Sequence, residues 1–197
     1  MGHRKEALGM NARPPGISSQ TFEELLVTRW GYDPNEATDG RENAVGVLEI
    51  LGAYIDGLAA DERIFGPGTA LRDYGRVFYP ASADPSWLIR GAAKRCYVNS
   101  SAYASVRDDV YYAEGYAIDL NLSIPIEHAW LVSPSGEVID PTWGRAVDHV
   151  YFGVAFEQIS MKRMLSLCGG EAGVLPNFHR LRESENVRQD FRSIHRA

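Results

Sequence analysis

Three residues in this sequence have the side chains that nucleophilic catalysis at a carbonyl carbon requires: Cys96, His128 and Asp140. A thiolate attacks carbonyls far better than a thiol does, an imidazole beside it accepts and returns the proton, and a carboxylate orients the imidazole. The chemistry that such a set performs is acyl transfer through a thioester, with water or an amine as the second nucleophile. The three residues are far apart in the chain, so the fold must bring them together.

His128 and Asp140 flank a predicted β-hairpin, because hydrophobic positions lie on both sides of the turn signal at residues 134–136. With a loop of about five residues, His128 falls directly opposite Asp140, and shorter loops move the partner by one to three positions. Cross-strand neighbours are about 5 Å apart, which is within hydrogen-bond reach. Strand alternation also places His128, Trp130 and Val132 on one face, with Asp140 on the matching face of the partner strand.

Cys96 lies where a helix is predicted to begin, after Lys94 and Arg95 and before a run of small residues. The helix N-terminus and a facing His128 would both favour the thiolate. A tetrahedral oxyanion also needs hydrogen-bond donors. The backbone N–H of Cys96 is one candidate, and Trp87 and Arg90 are candidates for the second.

The order Cys96, His128, Asp140, with His-Ala-Trp followed by Ile-Asp-Pro-Thr, resembles the transglutaminase-like superfamily of papain-like cysteine enzymes. The resemblance covers residues 93–143. It implies an α+β papain-like core in which the helix that bears the cysteine packs on an antiparallel sheet. It also implies that Cys96 is the nucleophile, His128 the general base and acid, and Asp140 the orienting carboxylate.

That family includes cross-linking enzymes, proteases, amidases and members without activity, so the resemblance implies the chemistry more firmly than the substrate. Nothing outside the core matches the calcium-dependent, multi-domain animal transglutaminases. The arylamine N-acetyltransferases share the order of the triad, but their motif around the cysteine is only partly matched by Arg95-Cys96 and Asn99.

The length of 197 residues favours one domain. We predict a flexible leader over residues 1–17 and a single transglutaminase-like domain over 18–197. Within that domain we predict a helical N-terminal part over 18–85, a catalytic core over 86–160, and C-terminal helices or a tail over 161–197. The N-terminal part includes a short helix near residues 21–30, a loop at 32–40, and a second helix, from Asp39 or Arg41, whose apolar stripe runs from Val45 to Leu58. Residues 66–85 are compatible with a strand or a packed loop. We further predict strands over 110–118, with a possible bulge at Glu114-Gly115, and over 151–156, and a helix over 158–168 that Gly169-Gly170 ends. The polar last twenty residues predict a solvated helix or a frayed tail.

Composition excludes several other classes. The balance of 20 Lys and Arg against 26 Asp and Glu gives a net charge of −6, which argues against nucleic acid or an anionic membrane surface as a partner. The two cysteines, Cys96 and Cys168, form no disulfide framework or metal-ligand spacing, which favours a reducing compartment. Without a membrane-spanning or signal-like apolar run, we expect a cytoplasmic protein with no metal and no cofactor.

The sequence therefore predicts a thiol enzyme that acts on a peptide, protein or small amide, by hydrolysis more than by cross-linking. Trp130, Trp143 and Trp87 are the candidate walls of its acyl pocket, because aromatic walls exclude water. Two alternatives stay open: an inactive papain-like binding or scaffold protein, and an arylamine-type N-acyltransferase. The oligomeric state is not predicted.

Overall fold

Five β-strands close into a barrel in the computed structural model, which describes residues 44–120, 122, 124–182, 184 and 187–192. The strands are β1 (Arg76–Pro80), β2 (Tyr111–Asp119), β3 (Pro125–Val132), β4 (Glu137–Ile139) and β5 (His149–Phe156). Their order around the barrel is β1-β4-β3-β2-β5, with β5 pairing back to β1. The β1–β4 pair is parallel and the other four pairs are antiparallel.

Helices pack on the outside of this barrel. They are α1 (Ala44–Ala60), α2 (Pro67–Tyr74), α3 (Cys96–Val106), α4 (Gln158–Leu167), α5 (Phe178–Leu181) and α6 (Val187–Arg192), with a 3₁₀ turn at Ala146–Asp148. The predicted α+β class is confirmed. The predicted antiparallel sheet differs in one respect, because β1 adds a parallel pair with β4 and so closes the sheet on itself.

Strand alternation divides the buried residues into two clusters. In one cluster every buried residue belongs to a strand; Phe78, Trp130, Val138 and Tyr151 are examples. This cluster therefore fills the interior of the barrel. The other joins outward-facing strand residues such as Leu131 to the buried faces of the helices. His128 and Asp140 are each two residues from an inward-facing residue, Trp130 and Val138 respectively, so their side chains also face the inside of the barrel.

The predicted stripe of the second helix is confirmed in α1, where Leu48, Leu51 and Ile55 are fully buried. The predicted leader at 1–17, the helix near 21–30 and the loop at 32–40 lie outside the described residues. Residues 66–85, for which the sequence predicts a strand or a packed loop, contain α2 and β1. The bulge expected at Glu114-Gly115 is absent, since both residues stay in continuous register with β3 and β5.

The described residues from Phe178 onward differ from the solvated helix or frayed tail that the polar composition of this segment predicts. Phe178, Leu181 and Phe191 are almost fully buried, and the rings of Phe178 and Phe191 pack against Phe65 with centroids 5.7 and 5.6 Å away. Three apolar anchors hold this segment although charged residues lie between them, because Arg180, Arg182 and Arg188 are exposed and the buried Asp190 pairs with Arg163 over 2.9 Å. The helix predicted at 158–168 is confirmed as α4, and Gly169 and Gly170 end it with φ of 75° and 77°.

Within the described ranges, no helix has both the length and the apolar composition needed to cross a bilayer.

Candidate functional site

The carboxylate of Asp140 is fully buried and accepts four hydrogen bonds. His128 Nε2 and the Tyr151 hydroxyl each donate to Oδ2 over 2.8 Å. The backbone N–H groups of Thr142 and Trp143 donate to Oδ1 over 2.7 and 2.9 Å. These last two bonds form an Asx-type turn, which satisfies the side chain within its own segment. A carboxylate that accepts four donors in a buried site is held in its charged form.

The charges of His128 and Asp140 support each other. Burial acts to raise the pKa of Asp140, but the hydrogen bond and charge of His128, with the two backbone N–H groups, hold it below its usual value. Burial acts to lower the pKa of His128, but hydrogen bonds to Asp140 and Cys96 and their charges raise it above its usual value. The pair therefore favours an imidazolium next to a carboxylate.

Cys96 is the first residue of α3, and 9% of its surface is exposed. Its thiol is a hydrogen-bond partner of the His128 ring. Because Nε2 of His128 donates to Asp140, the other ring nitrogen, Nδ1, is the one left for the thiol. A continuous hydrogen-bonded chain thus runs from Cys96 through His128 to Asp140.

The register of the hairpin differs from the simplest prediction. Leu131 pairs with Ile139 and Val132 with Val138, so Asp140 continues this register opposite Trp130 rather than opposite His128. His128 and Asp140 are diagonal neighbours on the same face, a separation that an imidazole and a carboxylate can span. The predicted face is correct, and the predicted partner is displaced by two residues because the turn is centred on Ser135.

The segment before Cys96 is tied to the segment after Asp140. Gly91 N–H donates to the Pro141 carbonyl over 2.8 Å, and Arg90 Nε donates to the Trp143 carbonyl over 2.8 Å. From α3, Asn99 Nδ2 donates to Thr142 Oγ1 over 3.0 Å. These bonds hold the start of α3 against the end of the hairpin.

The body of α3 is fixed to β3 by one buried hydrogen bond. Ser100 is fully buried, and its hydroxyl donates to the Ala129 carbonyl over 3.0 Å, one residue from His128.

Just before the helix, Lys94 has φ of 62°, a left-handed conformation that costs about 1 kcal/mol for a residue with a side chain. The chain accepts this strain to turn Cys96 into the first helical position.

The three tryptophans predicted as pocket walls occupy different places. Trp143 is half-buried and stacks on the His128 ring, with centroids 3.8 Å apart and planes 12° apart. Trp130 is fully buried inside the barrel, where its ring is 6.3 Å from that of His128, so it supports the imidazole from behind and has no exposed surface.

Trp87 lies elsewhere. Its ring packs 5.4 Å from that of Tyr103, with the Arg107 guanidinium 4.0 Å above it, near the C-terminal end of α3 and away from Cys96. Arg90, the other candidate for a second oxyanion donor, also pairs with Asp84 over 2.5 Å in addition to its bond to Trp143. Neither placement gives a donor toward Cys96, because both side chains serve to fix the loop and the helix.

Two residues that the sequence reasoning assigned only to strands contribute to this region. Tyr151 donates to Asp140 from β5, and only closure of the barrel brings that strand near the hairpin. Glu114 is fully buried on β2 and accepts hydrogen bonds from the backbone N–H groups of Val174 and Leu175 over 2.6 and 2.8 Å. A glutamate within an otherwise apolar strand was the available signal for the second residue.

The other cysteine has a different environment. Cys168 is fully buried at the end of α4, and burial raises the pKa of its thiol to about 11. It therefore remains a neutral thiol and is an internal reference for Cys96. Among the residues that the structure describes, no three His, Cys, Asp or Glu side chains are grouped so as to hold a metal ion.

No family model matches the sequence, and comparison with curated proteins and with solved structures gave no match.

Proposed function

We propose that this chain is a cysteine-dependent acyl-transfer enzyme that hydrolyses an amide or peptide bond, built on a transglutaminase-like, papain-like core. The single observation that supports the proposal most strongly is the hydrogen-bonded chain from Cys96 through His128 to the buried Asp140. A buried histidine and aspartate could serve the fold alone, but a thiol at a helix N-terminus, in contact with the free nitrogen of that histidine, is what nucleophilic catalysis requires.

The first half of the proposed reaction forms a thioester. The Cys96 thiolate attacks the carbonyl carbon of the amide, and a C–S bond forms as the carbonyl π electrons move to oxygen. When the tetrahedral species collapses, the C–N bond breaks and the His128 imidazolium gives its proton to the departing amine. Asp140 keeps the ring oriented with Nε2–H toward itself, so that Nδ1 exchanges the proton.

The second half regenerates the enzyme. Neutral His128 takes a proton from water, the resulting hydroxide attacks the thioester carbon, and the C–S bond breaks to release a carboxylic acid. The Cys96 thiolate and the His128 imidazolium are then restored. Stacking by Trp143 covers one face of the imidazole and limits water around the ion pair, which strengthens its electrostatics.

The proposal is tested by an activated ester. Incubation with p-nitrophenyl acetate should release one equivalent of p-nitrophenolate in a burst, and peptide mass spectrometry should find the acetyl group on Cys96. Cys96→Ser should abolish the burst, and Cys168→Ser, which removes only the other thiol, should retain it. No acetyl group on Cys96, or acetylation unchanged by His128→Gln, would contradict the proposal.

A binding or scaffold protein is the second candidate, and one observation favours it: 9% exposure leaves little of Cys96 open to a substrate. The two candidates give opposite results in the ester experiment, because a scaffold needs no acyl-enzyme. For an enzyme, adding acetyl-CoA in place of the ester identifies the N-acyltransferase alternative, which alone predicts acetylation of Cys96 by the thioester cofactor. Adding a free amine then separates hydrolysis from transfer.

A further inference from the structure

A cavity of about 180 Å³ lies against the outer face of the barrel, where residues of α1, α2 and α3 meet β2 and β3. Three of the residues that line it adjoin Cys96 or His128. Tyr97 follows Cys96 in α3, Glu127 precedes His128 in β3, and Gly115 is the cross-strand partner of His128. Tyr97 and Glu127 therefore bring the cavity to within one residue of Cys96 and of His128, although strand alternation points the Glu127 side chain to the face of β3 opposite that of His128.

The charged residues of the cavity all have one sign. Glu62 and Glu127 line it, and the described residues around it include no lysine, arginine or histidine. Both oxygens of Glu62 accept hydrogen bonds from the first turn of α2, at Gly68 and Thr69, so this carboxylate is fixed in place. Glu127 is exposed to solvent. The lining of the cavity is thus negatively charged.

Aromatic rings supply much of the remaining wall. Tyr54, Tyr97 and Tyr116 line the cavity, and the rings of Tyr54 and Tyr116 meet edge to face with centroids 5.2 Å apart. Burial, aided by nearby carboxylates, raises the pKa of Tyr97 and of Tyr116 far above the usual value, so both rings stay neutral. Neutral aromatic faces together with carboxylates bind cations, through the ring quadrupole and through charge.

The same electrostatic environment includes the nucleophile. Tyr97 follows Cys96 in α3 and lines the cavity, and the charges of Cys96 and Glu127 both act to raise its pKa. Because consecutive Cα atoms are about 3.8 Å apart, a cation in the cavity and the carbonyl under attack can belong to one substrate molecule. Substrate binding at this position also matches the usual location of specificity pockets, which adjoin the reacting groups.

We propose that this cavity recognises a cationic side chain, a guanidinium or an ammonium group, near the amide on which Cys96 acts. The inference rests on the proposed function for the identity of the reacting amide. The cation is bound and does not react. Glu127 and Tyr54, which is 43% exposed, are the specificity residues, and a substrate with a basic residue beside the scissile bond is the class that fits them.

The proposal is tested with methanethiosulfonate reagents that differ in charge. The thiolate attacks the sulfenyl sulfur, a mixed disulfide forms, and methanesulfinate leaves, so any accessible thiol reacts. The 2-(trimethylammonio)ethyl reagent should modify Cys96 ~10-fold faster than the 2-sulfonatoethyl reagent after correction for their rates with a free peptide cysteine. The preference should weaken with added salt, because the interaction is between charges.

Matched variants assign the preference to the cavity. Glu127→Gln should remove most of it, whereas Glu157→Gln makes the same charge change at an exposed residue outside the cavity lining and should leave it intact. Tyr54→Phe keeps the ring and should retain the preference, and Tyr54→Leu should reduce it. Equal preference in the native protein and Glu127→Gln, or faster reaction with the anionic reagent, would overturn the inference.

These experiments distinguish failure of the cation site from failure of the proposed enzymatic activity. If Cys96 reacts quickly with every reagent without regard to charge, only the cation site fails. If Cys96 is acylated by no ester but the charge preference depends on Glu127, only the enzyme fails. If no reagent reaches Cys96, isothermal titration calorimetry compares the binding of N-acetyl-arginine methylamide with that of its uncharged citrulline analogue. Tighter binding of the arginine compound that is lost in Glu127→Gln supports the cation site. Equal binding of the two compounds overturns it.

Discussion

At the level of single residues, the contrast between the environments of Cys96 and Cys168 supports a reactive role for Cys96. Both thiols are buried, but Cys96 adjoins a histidine whose pKa is raised, whereas burial raises the pKa of Cys168 to about 11. Cys96, His128 and Asp140 were selected from the sequence because their types and their positions around a turn signal suit one chemistry. Tyr151 cannot be identified in this way, because its hydrogen bond to Asp140 depends on a strand pairing that no local sequence pattern indicates.

Asp140→Asn tests the ion pair through stability. Because the pKa of His128 is raised in the folded chain, its contribution is complete below its ordinary value of 6.5 and is lost as pH rises through the folded value. The lowered pKa of Asp140 contributes above its ordinary value of 3.8 and is lost on acidification. Both contributions are therefore present near pH 5.

We expect Asp140→Asn to lower the free energy of unfolding by ~3 kcal/mol at pH 5, because the substitution leaves a buried imidazolium without its counter-charge. The loss should be smaller at pH 8, where that charge is less populated. Urea denaturation at the two pH values measures the difference. A loss of the same size at both would show that packing, and not the ion pair, is what the aspartate provides.

Glu114 gives a second prediction of how stability depends on pH, and here the cause is burial of a carboxyl group and not an ion pair. Burial raises the pKa of this carboxyl to about 7, although the N–H groups of Val174 and Leu175 act to lower it, and Glu127 acts to raise it. Its folded pKa exceeds its ordinary value of 4.5, so the stability that it contributes is full below pH 4.5 and is lost as pH rises to about 7.

The difference between the two pKa values corresponds to about 3 kcal/mol. Glu114→Gln should therefore flatten the stability curve between pH 5 and pH 7, even though the amide satisfies only one of the two backbone donors. The measurement is urea denaturation across this range, with the exposed Glu157→Gln as the control. An unchanged slope in Glu114→Gln would assign the pH dependence to other groups.

At the scale of elements, the helix that carries Cys96 and the hairpin that carries His128 and Asp140 must be held in register. The sequence predicted both elements, because apolar alternation around a turn and a run of small residues are local signals. It predicted neither the diagonal register nor the ties from Gly91, Arg90 and Asn99 to the end of the hairpin. Those ties join residues that are distant in sequence, and only the folded chain specifies them.

Ser100→Ala tests the attachment of α3 to β3. The substitution removes a buried hydroxyl and leaves the Ala129 carbonyl without its side-chain donor, so we expect a loss of about 1–2 kcal/mol in the free energy of unfolding. The alkylation rate of Cys96 should fall as the helix loosens. Ser105→Ala, on an exposed turn of the same helix, is the matched control, and equal effects of the two substitutions would exclude a specific role for the buried bond.

At the scale of the whole molecule, barrel closure is what the sequence did not predict. The strands were identifiable individually, but β1 lies in a stretch without clear alternation, and its parallel pair with β4 is the pairing that closes the sheet. Closure brings Tyr151 to Asp140, and the antiparallel β2–β5 pair places β5 directly against Gly115. The candidate site therefore depends on a long-range contact as much as on its local motif.

Gly115→Ala tests how tightly the barrel closes beside the site. A methyl group at Gly115 would overlap the Phe152 carbonyl oxygen and lie 2.5 Å from the Gly153 Cα, all of which are backbone atoms that cannot move aside singly. We expect a loss of at least ~2 kcal/mol in the free energy of unfolding. Gly144→Ala, where a methyl group meets nothing within 4 Å, should change stability little, and comparable losses would argue against close packing at Gly115.

In the proposed mechanism His128 keeps Cys96 reactive. The rate of Cys96 alkylation by iodoacetamide between pH 5 and pH 9, followed by peptide mass spectrometry, measures this effect. Cys168 in the same molecule reports any general opening of the fold. We expect Cys96 to react faster near pH 6 than an exposed peptide cysteine does, and we expect His128→Gln to remove this advantage while Cys168 stays protected. A Cys96 rate at pH 6 that is no faster than the peptide's, or one that His128→Gln leaves unchanged, would contradict this role of His128.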